Sequence, residues 1–371
     1  MNGLHGVIFA YGKHVGLREL SENRTPASVP FGGRYRMIDF VLSNMVNAGV
    51  RDVGVIIHGN YQSLLDHVGT GKEWDLSRMH GGLRLLPPFA MVRERGSGTF
   101  RGKMEALSSV QSYLERIRQD HVVLADSDTI INLPLQQVYA DHLSSGADIT
   151  AVCAAKGQGD LEGATSFVLG EGGWVQDTLY NAKDCAGLRS LDIFILSRDL
   201  LLELVEECRR KDHYSFRNAV LQNMSGRLKI RGYVWEGYAA QIRTLSEYYD
   251  RSMELLNPAI RRALFPADRP IYTKEMNLST TYLDPDGACV NSLVADGCTV
   301  EGTVENSILF RGVSVAKGAV VKNCILMQNT SVGKGASLSN VIADKNVQIT
   351  DGCTLVGNER YPIAIAKNAK I

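Results

Sequence analysis

Eight histidines and seven cysteines are the residues of this chain whose types could hold a metal or attack a substrate. His5, His14, His58, His67, His80, His121, His142 and His213 contain no pair four apart on an expected helix. Cys153, Cys185, Cys208, Cys289, Cys298, Cys324 and Cys353 form no Cys-x-x-Cys, and no GxSxG elbow occurs. Zinc, dithiol and serine-nucleophile chemistry therefore have no sequence support, and the histidines read as surface or satisfied core groups. The odd, scattered thiols fit a reduced, cytoplasmic protein. Arg93-Glu94-Arg95 reads as solvated surface, and Glu206 to Lys211 as a helix end with its cations well placed. The most distinctive stretch is Leu17 to Asn44, LRELSENRTPASVPFGGRYRMIDFVLSN, which joins four arginines to a Phe-Gly-Gly turn. Guanidinium groups suit bidentate contact with phosphate.

The elements that must position these residues are legible in the apolar pattern. The chain has 371 residues, 44% hydrophobic, with 40 Lys+Arg against 40 Asp+Glu. At about 150 residues per domain, two or three domains are expected, with a core that needs no disulfides. Zero net charge argues against a nucleic-acid binder. No apolar run approaches the roughly 18 residues of a membrane span, and the N-terminus reads as a first strand rather than a signal peptide. Strands are expected at Leu4 to Ala10, Val53 to His58, His121 to Asp126 and Ala147 to Ala155. Helices are expected at Arg36 to Ala48, with Gly49 as C-cap, near Lys103 to Arg118 and at Leu135 to Ser144. This alternation implies βαβ units and a largely parallel sheet. After about residue 283 helical periodicity stops, and small aliphatic residues recur every six: Val315 and Val321; Leu326, Val332 and Leu338; Val341 and Val347; Ile349 and Leu355. Three six-residue units make one coil of a prism, with Asn306, Asn323, Asn329 and Asn340 at its tight turns. The expected division is an α/β domain over 1–256, a connector with one short helix over 257–282, and a parallel β-helix over 283–371.

The Phe31 to Asn44 run, the Phe-Arg-Gly-x-x-x-Ala stretch from Phe100 to Ala106 and the C-terminal repeats together resemble the glucose-1-phosphate adenylyltransferase (ADP-glucose pyrophosphorylase) family over the whole chain. The resemblance implies a Rossmann-like nucleotidyltransferase domain with a mixed, mostly parallel sheet, followed by a left-handed β-helix of hexapeptide repeats. It also implies a reaction in which glucose 1-phosphate attacks the α-phosphate of ATP and pyrophosphate leaves. Positioning and charge neutralisation dominate such chemistry. Active members use a GGxGxRL loop, a nearby Lys, two Mg²⁺-binding aspartates and a Glu-Lys-Pro segment.

This chain departs from that set. Its loop reads Phe9-Ala10-Tyr11-Gly12-Lys13-His14-Val15-Gly16-Leu17, with Tyr11 and His14 at glycine positions and Gly16 where the arginine belongs. Pro26 stands at the lysine, Ser127 and Gln241 stand at the two metal-binding aspartates, and no Glu-Lys-Pro occurs. Ser190 matches a sugar-contacting serine. The region from Gly69 to Pro88 corresponds to a long loop near the nucleotide. The combined losses resemble the GlgD-type companion subunits of bacterial ADP-glucose pyrophosphorylase, which implies a catalytically inactive, regulatory chain in glycogen biosynthesis. The alternative is an active or weakly active adenylyltransferase with a rearranged Mg²⁺ site built on Asp126 or Asp128; no cofactor is implied otherwise. A hexad β-helix also suits acyl transfer, but no histidine follows His213 to act as base.

Arg24 and Arg36 occupy positions where the family binds allosteric effectors, which are phosphorylated sugars or nucleotides. The competing assignment is an ion pair with Glu19, Glu22 or Asp39. The resemblance further implies assembly with a catalytic subunit into a tetrameric hetero-oligomer, with homo-oligomers as the other possibility.

Overall fold

A computed structural model describes residues 3–11, 15–88, 100–155, 164–181, 187–224 and 226–371. Lys13, His14, Arg93-Glu94-Arg95 and Cys185 lie outside the described residues. The chain divides into two units that do not follow chain order. One comprises Met1–Gly12, Ile38–Gln241 and Phe265–Tyr272; the other comprises Lys13–Met37, Ile242–Leu264 and Thr273–Ile371. The arginine-rich stretch and the segment around residue 250 thus group with the β-helix, a division that differs from a cut at residue 256.

The first unit is built on a nine-stranded mixed sheet. Its centre is the strand Leu4–Ala10, buried along its whole length. It pairs in parallel with Asp52–Ile57 on one side and His121–Asp126 on the other. A strand covered on both faces reads as a continuous apolar run, which is why Val7-Ile8-Phe9 shows no alternation. Gly82–Leu86 continues the parallel order beyond Asp52–Ile57. The region expected as one long loop from Gly69 to Pro88 is therefore partly an edge strand, and Trp74 within it is buried against His67. On the other side Leu188–Ser197 runs antiparallel to His121–Asp126 and to Ile149–Ala154, and Ile230–Trp235 pairs in parallel with the latter. The helix Met37–Asn47 ends before Gly49, whose φ of 80° is a left-handed cap conformation. In the helix Arg198–Arg210, Leu201, Leu204, Val205 and Cys208 form the buried stripe. The Ser197 hydroxyl caps its start by accepting from Leu200 N at 3.2 Å, and Arg209 and Arg210 sit at its end.

The second unit is a parallel β-helix of hexapeptide type with three five-stranded sheets. Val300, Val315, Val332 and Ile349 stack in register, and all four are buried. The steps between them are 15, 17 and 17 residues, shorter than three full hexads. Sharp corners account for the shortening. Asn306, Asn323, Asn329 and Asn340 all have φ between 46° and 58°, the left-handed region that asparagine tolerates best among residues with a side chain. Corner asparagines form amide ladders: Asn291 donates to Asn306 at 2.7 Å, Asn329 to Asn346 at 3.3 Å and Asn346 to Asn368 at 3.0 Å. The helix Leu245–Met253 is opened by a capping box between Thr244 and Glu247. Two tyrosines of that helix are anchored within the unit. Tyr248 donates to the Pro30 carbonyl and Tyr249 to the Asn323 carbonyl, each at 2.8 Å. The short helix Pro258–Leu264 lies in the expected connector.

Candidate functional site

In open α/β sheets ligands bind beyond the carboxyl ends of strands where the strand order reverses. Here that point is the end of Leu4–Ala10, because the chain extends the sheet on one side through Asp52–Ile57 and Gly82–Leu86, then crosses to His121–Asp126 on the other. Asp126, Ser127 and Asp128 leave the sheet there.

Ser127, where the resemblance expects the first metal ligand, is buried and committed to backbone. Its hydroxyl donates to the Phe9 carbonyl at 3.0 Å, and its N–H approaches the same oxygen at 3.3 Å. Asp128 is also buried and accepts from the Thr129 hydroxyl at 3.3 Å. Gln241, where the resemblance expects the second metal ligand, ends the strand Ala239–Gln241, which pairs with Thr129–Ile131. Its amide donates to Asp192 Oδ2 at 3.2 Å. Ser190 points its hydroxyl oxygen at the N–H of Asp192, accepting at 3.1 Å.

Two residues that sequence reasoning passed over complete this cluster. Asp192 has φ of 54° within a strand, at a register shift between Ser190 and Phe194. From that irregularity its carboxylate reaches Lys103 and Gln241. Lys103, first residue of the helix Lys103–Ser109, places its ammonium 2.9 Å from Asp126 Oδ2 and 3.3 Å from Asp192 Oδ1. The nitrogen also lies 5.6 Å from the Phe9 ring centroid and 5.7 Å from that of Phe194. Burial alone would depress the Lys103 ammonium, but Asp126 and Asp192 outweigh it and hold it above the ordinary lysine range. Burial pushes the Asp126 carboxyl up; Asp192 and Asp128 add to the shift and Lys103 opposes it. The Phe100 to Ala106 motif was the one available signal for Lys103. Asp192 had none, because a bulge is not written in strand periodicity.

A magnesium ion collects about six oxygens at 2.0–2.1 Å. The residues present do not meet that demand. Asp126 Oδ1 is a buried oxygen without a donor, but the same carboxylate already holds an ammonium. The position beside it is a hydroxyl turned to backbone, and the other is an amide donating a proton. Among the described residues no group of three His, Cys, Asp or Glu side chains is arranged to hold a metal. Tyr11, at a glycine position of the loop, packs its ring edge against Phe100 at 4.7 Å between centroids. A cavity of about 510 Å³ opens instead near the amino ends of the parallel strands, between His5, Asp52, Arg84 and Arg118, and none of these candidate residues lines it.

The remaining candidates belong to the second unit. A Cβ on Gly16 would stand 2.8 Å from the Arg243 carbonyl oxygen and 3.0 Å from the Thr244 methyl, so the backbone has closed over the arginine position. Pro26 is buried at the start of a short 3-10 turn. Arg24 is 4% exposed and forms an ion pair with Asp344, which is fully buried. That partner replaces the Glu19, Glu22 or Asp39 considered from sequence, and the reason lies in the fold, since Asp344 sits on a β-helix coil 320 residues away. Asp39 is bound by His67 Nε2 at 2.6 Å in the first unit. The second nitrogen of the Arg24 fork, Nη1, is buried with no acceptor. Beside this pair stands Lys345, another residue the sequence did not single out. Burial pushes its amine down to about 7, with Arg36, Arg24 and Lys367 adding to the effect and Asp344 opposing it.

The comparisons agree with this architecture. Residues 5–163 match the nucleotidyl transferase family, and residues 279–361 match the GlmU-like C-terminal hexapeptide family. The chain is 36% identical to the glycogen biosynthesis protein GlgD of Bacillus subtilis, over 85% of this chain and 82% of the relative. It is also 36% identical to GlgD of Geobacillus stearothermophilus, over 86% and 83%. The identity to the glucose-1-phosphate adenylyltransferase of Geobacillus stearothermophilus is 32%, over 85% and 82%. The chain belongs to the family of bacterial glucose-1-phosphate adenylyltransferases and their GlgD relatives.

Proposed function

We propose that this chain is a catalytically inactive, regulatory subunit in glycogen biosynthesis, which assembles with a catalytic glucose-1-phosphate adenylyltransferase and modulates it. The observation that carries the reading is Ser127. At the position where an active family member needs a metal-binding carboxylate, its hydroxyl is tied to the Phe9 carbonyl. The closed backbone at Gly16 adds to this, because an arginine cannot be accommodated there without moving Arg243. A transition state with phosphate charge developing is short of several kcal/mol for each missing cation or donor.

Regulation is assigned to the cationic cluster of Arg24, Arg36, Lys345 and Lys367. A buried guanidinium nitrogen without an acceptor, and an amine pushed down to about 7 by burial and by its cationic neighbours, both gain from a phosphate group. The ligand class is a phosphorylated sugar or nucleotide. Ser190 is assigned to sugar contact only secondarily, since its oxygen already serves Asp192.

The test is ADP-glucose synthesis and pyrophosphorolysis with Mg²⁺, for the chain alone and mixed with the catalytic subunit of its host. Silence alone, with a raised rate or shifted effector response in the mixture, is the expected result. Turnover by the isolated chain that Asp126→Asn or Asp128→Asn abolishes would establish the rearranged-site alternative instead.

A further inference from the structure

We propose that the ammonium of Lys103 is a built-in occupant of the cation position, so that this site takes no divalent metal while that side chain is present. This role of Lys103 rests on the non-catalytic reading for the meaning of the site, while the ion-pair geometry stands independently of it. Two carboxylates, Asp126 and Asp192, meet at the carboxyl end of the central strands, and the charge of Asp128 acts on Asp126 from nearby. Like charges so placed need a counter-ion. Lys103 supplies it, with Nζ bridging Asp126 and Asp192 at 2.9 and 3.3 Å and Asp128 adding its field. Gln241 donates to the remaining Asp192 oxygen at 3.2 Å, so an amide proton occupies what an oxygen ligand would offer to a metal.

The ammonium is held for reasons that disfavour exchange. Its stem starts at the first turn of its helix, and the Phe9 and Phe194 rings flank the nitrogen. A tethered cation competes intramolecularly with any free ion. The carboxylates themselves are not sealed off: Asp126 and Asp192 keep 19% and 15% of their side-chain surface. Removing the lysine charge while keeping its bulk therefore uncovers an accessible acidic site. Lys103→Met is expected to turn the self-filled site into one that binds a divalent cation.

Mn²⁺ titration followed by electron paramagnetic resonance, with Mg²⁺ competition, reads this directly. The intact chain is expected to show no saturable site up to millimolar Mn²⁺. Lys103→Met is expected to gain one site per chain, displaced by Mg²⁺ and lost again in the Lys103→Met, Asp192→Asn double variant. Lys103→Gln serves in the same role should the methionine variant fail to fold. One saturable Mn²⁺ site in the intact chain that Asp126→Asn removes would overturn the proposal. So would a folded Lys103 variant that gains no site. Neither readout uses catalysis. A chain that binds Mn²⁺ yet stays silent alone and stimulates its partner refutes only this inference, whereas turnover by the isolated chain refutes the regulatory reading.

Discussion

The Arg24–Asp344 pair offers a quantitative test of how the arginine-rich stretch is held to the β-helix within the second unit. Both side chains are almost entirely out of water, at 3% and 0% exposure. Breaking a buried ion pair by removing one partner costs about 3–5 kcal/mol, because the other charge stays desolvated and uncompensated. Asp344→Asn should fall at the upper end of that range. The carboxylate also accepts from Lys345 N at 2.7 Å, and its loss leaves Arg24 facing Lys345 with no anion between them. Removing both charges together, in Arg24→Met with Asp344→Leu, should cost much less, since no unpaired charge remains. Urea denaturation of the intact chain, Arg24→Met, Asp344→Leu and the double variant in a double-mutant cycle yields the coupling directly. A second expectation ties the pair to regulation: inorganic phosphate should stabilise Asp344→Asn more than the intact chain, by taking the vacant acceptor's place. An Asp344→Asn cost below about 1 kcal/mol would place the pair in the range of exposed surface pairs and refute the reasoning.

Three further expectations follow from the same geometry. Lys345 is held down to about 7 by burial and its cationic neighbours, so a bound phosphate should raise its affinity for a proton. Binding should then tighten as pH falls towards about 7 and level off below it, and Lys345→Met should flatten that dependence in calorimetry with inorganic phosphate or a sugar phosphate. His5 and His142 are each pushed down to about 4, chiefly by burial, and each is hydrogen-bonded, His5 Nε2 to Tyr113 at 2.9 Å and His142 Nδ1 to Thr150 at 2.9 Å. Below the ordinary histidine value of 6.5 the unfolded chain takes up protons that the folded one does not. Stability of the first unit should therefore be fully present above about 6.5 and fall towards pH 4, on the order of 2–3 kcal/mol for each histidine; a flat unfolding midpoint across that window would contradict this. Finally, Gly16→Arg should fail to restore turnover and should lower the thermal midpoint, because a Cβ there meets the Arg243 carbonyl at 2.8 Å. Unchanged stability would show that the backbone opens easily.

The hexad spacing placed Val315, Val321, Leu326, Val332 and Leu338 inward, and each is buried in the β-helix core. The turn asparagines followed from the same pattern, because only a few residue types accept a left-handed backbone. The apolar runs located the central strands and the helix Met37–Asn47 for an equally local reason. The 15-residue step between Val300 and Val315 was not legible, since the residues removed from a corner leave the inward periodicity of the flanking strands intact. The same holds for Gly82–Leu86, a short edge strand whose pairing with Asp52–Ile57 is set by a partner about 30 residues earlier.

For the site, the sequence by itself determined which groups are absent. Serine, glutamine, glycine and proline stand where the resemblance expects carboxylates and cations, and residue type is read directly from the sequence. Only the tertiary structure decided what stands in their place. Lys103 meets Asp126 and Asp192 from three separate elements, and a bulge with a left-handed residue turns Asp192 toward them. Arg24 finds Asp344 across 320 residues, with Lys345 beside it. Charges act through space with a strength set by distance and burial, and neither quantity is carried by local sequence spacing.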